Sequence, residues 1–162
     1  MTQELQLYSM AHKNLYKAII DKLRADTGVG SIVALTDYSS SNYSIGRDMP
    51  SVKERTPFLG VNIPMTIPLI GDGATTRLQN AEVELKAHAR SELTALTIVD
   101  RVEYLVHETI TDDVSYYDFS DSNISNRQTT FRQREAPYFD DETDVWSVQV
   151  ILDVIWINQS CS

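Results

Sequence analysis

A mainly antiparallel sheet of about four to five strands with two helices packed on one face, an α+β fold, is the architecture this 162-residue sequence predicts. Three stretches carry that expectation. From Asn80 to Arg90 the side chains alternate, with Ala81, Val83, Leu85, Ala87 and Ala89 on one side and Glu82, Glu84, Lys86, His88 and Arg90 on the other. That is the period of a half-buried strand whose second side faces water. From Ser91 the period changes without a break: Ala95, Ile98, Val99, Val102, Leu105 and Val106 form one stripe of a helix that runs to His107. Near the end, Trp146, Val148, Val150, Leu152, Val154 and Trp156 point one way, and Val145, Ser147, Gln149, Ile151, Asp153, Ile155 and Ile157 the other. One face of that strand is wholly apolar and the other mixed, which predicts a central strand whose second face is partly covered, for instance by another subunit.

The remaining elements follow in order. Leu5, Tyr8, Ala11, Leu15, Ala18, Ile19 and Leu23 recur at helical spacing and predict an amphipathic helix from about Leu5 to Ala25. Lys22 and Arg24 complement the negative end of its dipole, and Gly28 supplies the left-handed residue that closes a helix. Ile32 to Leu35 reads as a short strand, and the polar run Thr36 to Asp48 as a loop in which Tyr38 and Tyr43 pack along their own chain or anchor a contact. Phe58 to Ile63 reads as a strand that stops at Pro64, because proline cannot donate to a sheet ladder. Pro64 to Arg77 then becomes the long loop of a hairpin, carrying Met65, Ile67, Leu69 and Ile70 between Pro64, Pro68, Gly71 and Gly73. A connection of about a dozen residues needs a packing partner, either its own domain or a neighbouring protein. Val114 to Phe139 mixes aromatic with many polar residues and predicts one or two irregular strands within a long, partly exposed excursion, closed by the acidic turn Asp140 to Asp144.

Composition narrows the function. The length fits one domain spanning residues 1–162, able to bury a core without disulfides. With 42% hydrophobic and 23% charged residues, the chain has neither the composition of a disordered protein nor an apolar run long enough for a membrane span. Fourteen basic against 23 acidic residues give a net charge of -9, which repels nucleic acid and anionic membranes. Arg127, Arg132 and Arg134 form a local exception, offset by Asp140, Asp141, Glu142 and Asp144. A single cysteine, Cys161, makes an internal disulfide impossible and favours a reducing compartment, and residues Met1 to Leu7 do not have the pattern of a signal peptide. The N-x-[ST] triplets at Asn42, Asn123 and Asn158 are accordingly chance matches.

Catalytic patterns are not found. Gly71, Gly73, Thr75 and Thr76 do not have the lysine of a phosphate-binding loop, and Gly28 and Gly30 do not make a dinucleotide fingerprint. His12, His88 and His107 are not at the spacing of a helical metal motif and are expected to be satisfied or solvated. Glu82 and Glu84 share one strand face, with carboxylates roughly 7 Å apart, a separation compatible with a glycosidase pair. The same face carries Lys86, His88 and Arg90, so a mixed-charge surface is the simpler account. The acidic turn and the segment Asp118 to Asn123 do not match a calcium loop, and there is no nucleophile elbow.

In this order the elements resemble the tail terminator, or tail completion, proteins of tailed bacteriophages, a head-tail joining family. The resemblance covers most of the chain. It rests on element order, on TPFLGVNIP at Thr56 to Pro64, on VELKAHARSE at Val83 to Glu92, and on the absence of an active site. It implies a structural virion protein without enzymatic activity, cofactor or metal. Such a protein forms a ring, usually of six subunits, that caps the tail tube, ends its polymerisation and joins tail to neck. The partners implied are other copies of the chain, the tail tube protein, a neck or stopper protein and a sheath met by the Tyr116 to Phe139 excursion. DNA would pass through unread, no membrane is involved, and the location is the virion tail or neck after assembly in the host cytoplasm. On this basis Met65, Ile67, Leu69 and Ile70 are expected to reach a neighbouring subunit or the tube, with Glu82 and Glu84 facing another subunit or the lumen. Rival readings are another neck component such as a stopper or adaptor, a monomeric ligand-binding domain and a hydrolase.

Overall fold

Alternation and helical spacing dictate which faces must meet, and the computed structural model realises them as follows. It describes residues 3–26, 45–48, 57–69, 78–108 and 118–158, with side chains from Lys13 onward in the first helix and up to Val106 in the second. The elements are α1 (Gln3–Ala25), β1 (Ile45–Arg47), β2 (Phe58–Pro68), β3 (Leu78–Ala89), α2 (Glu92–Glu108), β4 (Ile124–Arg134), β5 (Tyr138–Asp140) and β6 (Val145–Asn158). They form an α+β fold with a six-stranded sheet in the order β1-β2-β3-β6-β4, and β5 pairs with β6 in line with β4. All pairings are antiparallel except the short parallel contact of β1 with β2.

Strand β3 pairs with β6 over its whole length, from Leu78 opposite Ile157 to Ala89 opposite Trp146. This register places Ala81, Val83, Leu85 and Ala87 beside Val154, Leu152, Val150 and Val148, all buried on one face. Both helices cover that face. Leu15, Ala18, Ile19 and Leu23 of α1 and Ala95, Ile98, Val99, Val102 and Val106 of α2 share one continuous core with it, and Trp156 is fully buried there. The α2 helix starts where expected, with the Ser91 carbonyl accepting from Ala95 N at 3.1 Å. At the other end of α1, Arg24 does more than complement a dipole: its Nε and Nη2 donate to the Ile45 carbonyl at 3.0 and 2.7 Å and dock β1. Ile45–Arg47 is therefore a strand inside a stretch expected to be loop. The expected strand Ile32 to Leu35, Gly28, Tyr38 and Tyr43 lie outside the described residues.

Pro64 does not end β2. The strand continues to Pro68 by way of a bulge in which Ile63 and Pro64 oppose Val83, so the first part of the expected hairpin loop is ladder, Met65 opposite Glu82 and Ile67 opposite Asn80. The reason is directional. Leu69 N donates to Leu78 O at 3.1 Å, which aims the amides of Ile67 and Met65 at β3 and leaves Pro64 and Pro68 on the outer edge, where no ladder donor is required. Ile63 N also points outward, past the end of β1, and is met by the Tyr16 hydroxyl at 2.7 Å. That hydroxyl in turn donates to Asn62 Oδ1 at 3.3 Å, and the Arg47 guanidinium lies 4.6 Å above the Tyr16 ring.

The one or two irregular strands expected in the polar excursion are β4, eleven residues long, and the short β5, together covering the second edge of β6. Two register shifts, between Asn126 and Gln128 and between Phe131 and Gln133, break its alternation. Its entry is built from side-chain to backbone bonds: Asp121 Oδ1 accepts from Asn123 N and Ile124 N at 2.7 and 2.9 Å. Asn126 is the centre of this arrangement. It is buried, its Oδ1 accepts from Phe119 N at 2.9 Å and Thr129 Oγ1 at 3.0 Å, and its Nδ2 donates to Gln128 O at 3.1 Å and Ile155 O at 3.0 Å. The turn after β5 passes through Asp144 at φ 54°, a left-handed conformation that aspartate tolerates.

Asn126→Ala leaves a buried amide and a buried carbonyl unpaired at the first bulge, and is expected to cost about 2–4 kcal/mol in urea unfolding. A loss below half a kilocalorie would mean that the bulge holds without its side-chain bonds.

Candidate interaction surface

The sheet face away from the helices is set by the same alternation that builds the core. It carries Asn80, Glu82, Glu84, Lys86 and His88 of β3, and beside them Ser147, Gln149, Ile151 and Asp153 of β6. The sequence assigned the β3 residues to a water-facing side. In the structure Glu82, Glu84 and Lys86 are half-buried and His88 is buried.

Glu82 and Asp153 stand directly opposite each other across the β3–β6 ladder. Two carboxylates in that position repel. Arg132, the extra residue of the second β4 bulge, reaches over β6 to both: Nη1 donates to Glu82 Oε2 at 2.7 Å, and Nε donates to Asp153 Oδ2 at 2.9 Å while Nη2 donates to Asp153 Oδ1. Its pKa is raised above the ordinary arginine value by the hydrogen bond to Asp153 first and that to Glu82 second. A raised basic pKa stabilises the fold below the ordinary value and is lost only above the raised one, so Arg132 stays charged through all ordinary buffers. Glu84 has its own partner, accepting from Asn62 Nδ2 at 3.0 Å. The two glutamates that invited an acid/base reading are thus each tied into the sheet.

Arg134, two residues further on and opposite Val150, turns to the helix face. Its Nε donates to Glu103 Oε1 at 3.0 Å and its Nη2 to Asp100 Oδ1 at 2.5 Å. Burial works to lower its pKa, and the bonds to Glu103 and Asp100 outweigh this and raise it. Arg132 and Arg134 therefore act as two separate ties on opposite faces rather than as a basic patch.

A second polar tie crosses the face near its other end. His88 Nε2 lies 2.9 Å from Asp48 Oδ1, and Nδ1 lies 2.9 Å from Ser147 Oγ. Asp48 reaches His88 across β2 at Gly60, where a Cβ would come within 2.4 Å of Asp48 Oδ1 and 2.9 Å of its Cα. Serine, histidine and aspartate are the residue types of a nucleophilic triad. Here the serine is buried in mid-ladder, flanked by His88 on β3 and Tyr138 on β5, and the three side chains tie β1, β3 and β6 together. Among the described residues, no group of three His, Cys, Asp or Glu could hold a metal ion, and no helix is long and apolar enough to cross a membrane. Asp118 and Asp140 spend a carboxylate oxygen each on their own turns, accepting from Ser120 N and Glu142 N. The His12 and His107 side chains, Ile70, Gly71, Gly73, Thr75, Thr76 and Cys161 lie outside the described residues.

Exposed large apolar side chains lie at two ends of the sheet and, as Leu93 and Tyr104, on α2. Met65, Ile67 and Leu69 are 44–46% exposed at the far end of β2. Tyr138 and Phe139 are 66% and 37% exposed on β5, where Phe139 packs on Trp146 with ring centroids 5.1 Å apart.

Among solved structures the chain is similar to one in the virion of native gene transfer agent (GTA) particle, with a TM-score of 0.58 and 11% identity over 85% of this chain and 90% of that one. At that identity the two share a fold. A scan against protein-family models and a search of the curated proteins both find no match. The structure places Met65 opposite Glu82 and so joins two of the residues singled out from the sequence. Sequence reasoning named Arg132 without its partners, and missed the positions taken by Asp48 and Tyr138. For Arg132 a signal existed: two carboxylates on adjoining central strands call for a cation from the next strand.

Arg132→Ala is expected to lower Tm, and adding Glu82→Gln to it to restore most of the loss, because the glutamine removes the repulsion that Arg132 offsets. Simple additivity of the two changes would show that Arg132 does not act through Glu82. Gly60→Ala is expected to push Asp48 off His88 and cost about 1–3 kcal/mol in urea unfolding.

Proposed function

We propose that this chain is a structural protein of a tailed-phage-like virion, acting as a tail terminator: a ring of six copies that caps the tail tube, ends its growth and joins tail to neck. The observation that carries the reading is the shared fold with a chain of a gene transfer agent virion over nearly the full length of both. Two features of the molecule support it. On the open sheet face Glu82 and Asp153 are paired with Arg132, and Glu84 accepts from Asn62, which gives these carboxylates a structural part. Exposed apolar side chains stand at two ends of the sheet and, as Leu93 and Tyr104, on α2, which suits a chain with more than one protein neighbour. The partners are other copies, the tail tube protein and a neck or stopper protein, with a sheath in a contractile tail. DNA passes through the ring without specific contacts, in keeping with a net charge of -9. Assembly takes place in the host cytoplasm, and the protein stays in the virion at the tail or neck.

Electron microscopy of particles made with and without the chain tests this. Tubes of uncontrolled length in its absence, returned to uniform length by supplying the protein, are the expected result. Tubes of normal length that fail to join heads would move the chain to a stopper or adaptor position, and normal joined particles would overturn a structural role.

A further inference from the structure

We draw no further inference here: the strongest candidate, the apolar patch that Met65, Ile67 and Leu69 of β2 expose at one end of the sheet face away from the helices, carries nothing because nothing in the structure shows what covers it.

Discussion

Strand β6 is hydrogen-bonded along both of its edges, to β3 on one side and to β4 and β5 on the other, and most of the structure hangs on that double pairing. A central strand has no freedom of register once one of its faces is apolar. A slip of one residue would carry Val148, Val150, Leu152, Val154 and Trp156 out from under the helices and put Gln149 and Asp153 in their place. The hydrophobic pattern thus locks the ladder, and the locked ladder positions the groups of the opposite face.

Those groups are placed by register more than by local preference. Glu82 meets Asp153, and His88 meets Ser147, because β3 and β6 run antiparallel with no shift over their shared length. Each encounter recruits a third residue from farther out, Arg132 from β4 and Asp48 from beside β1. The two recruits depend on irregularities: a bulge lets Arg132 stand over the sheet, and the missing side chain of Gly60 opens the way for Asp48. Glu82, Glu84, Asp153 and His88 on that face are each held by a neighbour, and among the described residues the exposed large apolar side chains lie at the ends of the sheet and on α2.

The sequence disclosed what repeats and concealed what interrupts. The period of two in Ala81 to Ala89 and in Trp146 to Trp156, and the shift to helical spacing at Ser91, were enough for the two central strands, the helices and an α+β class. Strand β4 is legible only as an irregular strand without bounds, because its bulges reset the alternation twice within eleven residues and its apolar positions never line up at a fixed interval. Pro64 misled for a related reason. Proline forbids only donation from its own nitrogen, and which way that nitrogen points is a property of the sheet, invisible until β1 is seen to stop short. Of the residues singled out for contact, Met65, Ile67 and Leu69 are exposed, while Glu82 and Glu84 are tied within the sheet. Their partners, Arg132 and Asn62, sit 50 and 22 residues away, a separation that no local pattern encodes.

The hydroxyl of Tyr16 couples the helix layer to the margin of the sheet. It stands in for a strand, since the amide of Ile63 would otherwise be a donor facing outward from a sheet edge flanked by Met65 and Ile67. Helix α1 thus supplies that edge with the acceptor a neighbouring strand would have given, and the helix that completes the core also caps the edge through one phenol oxygen.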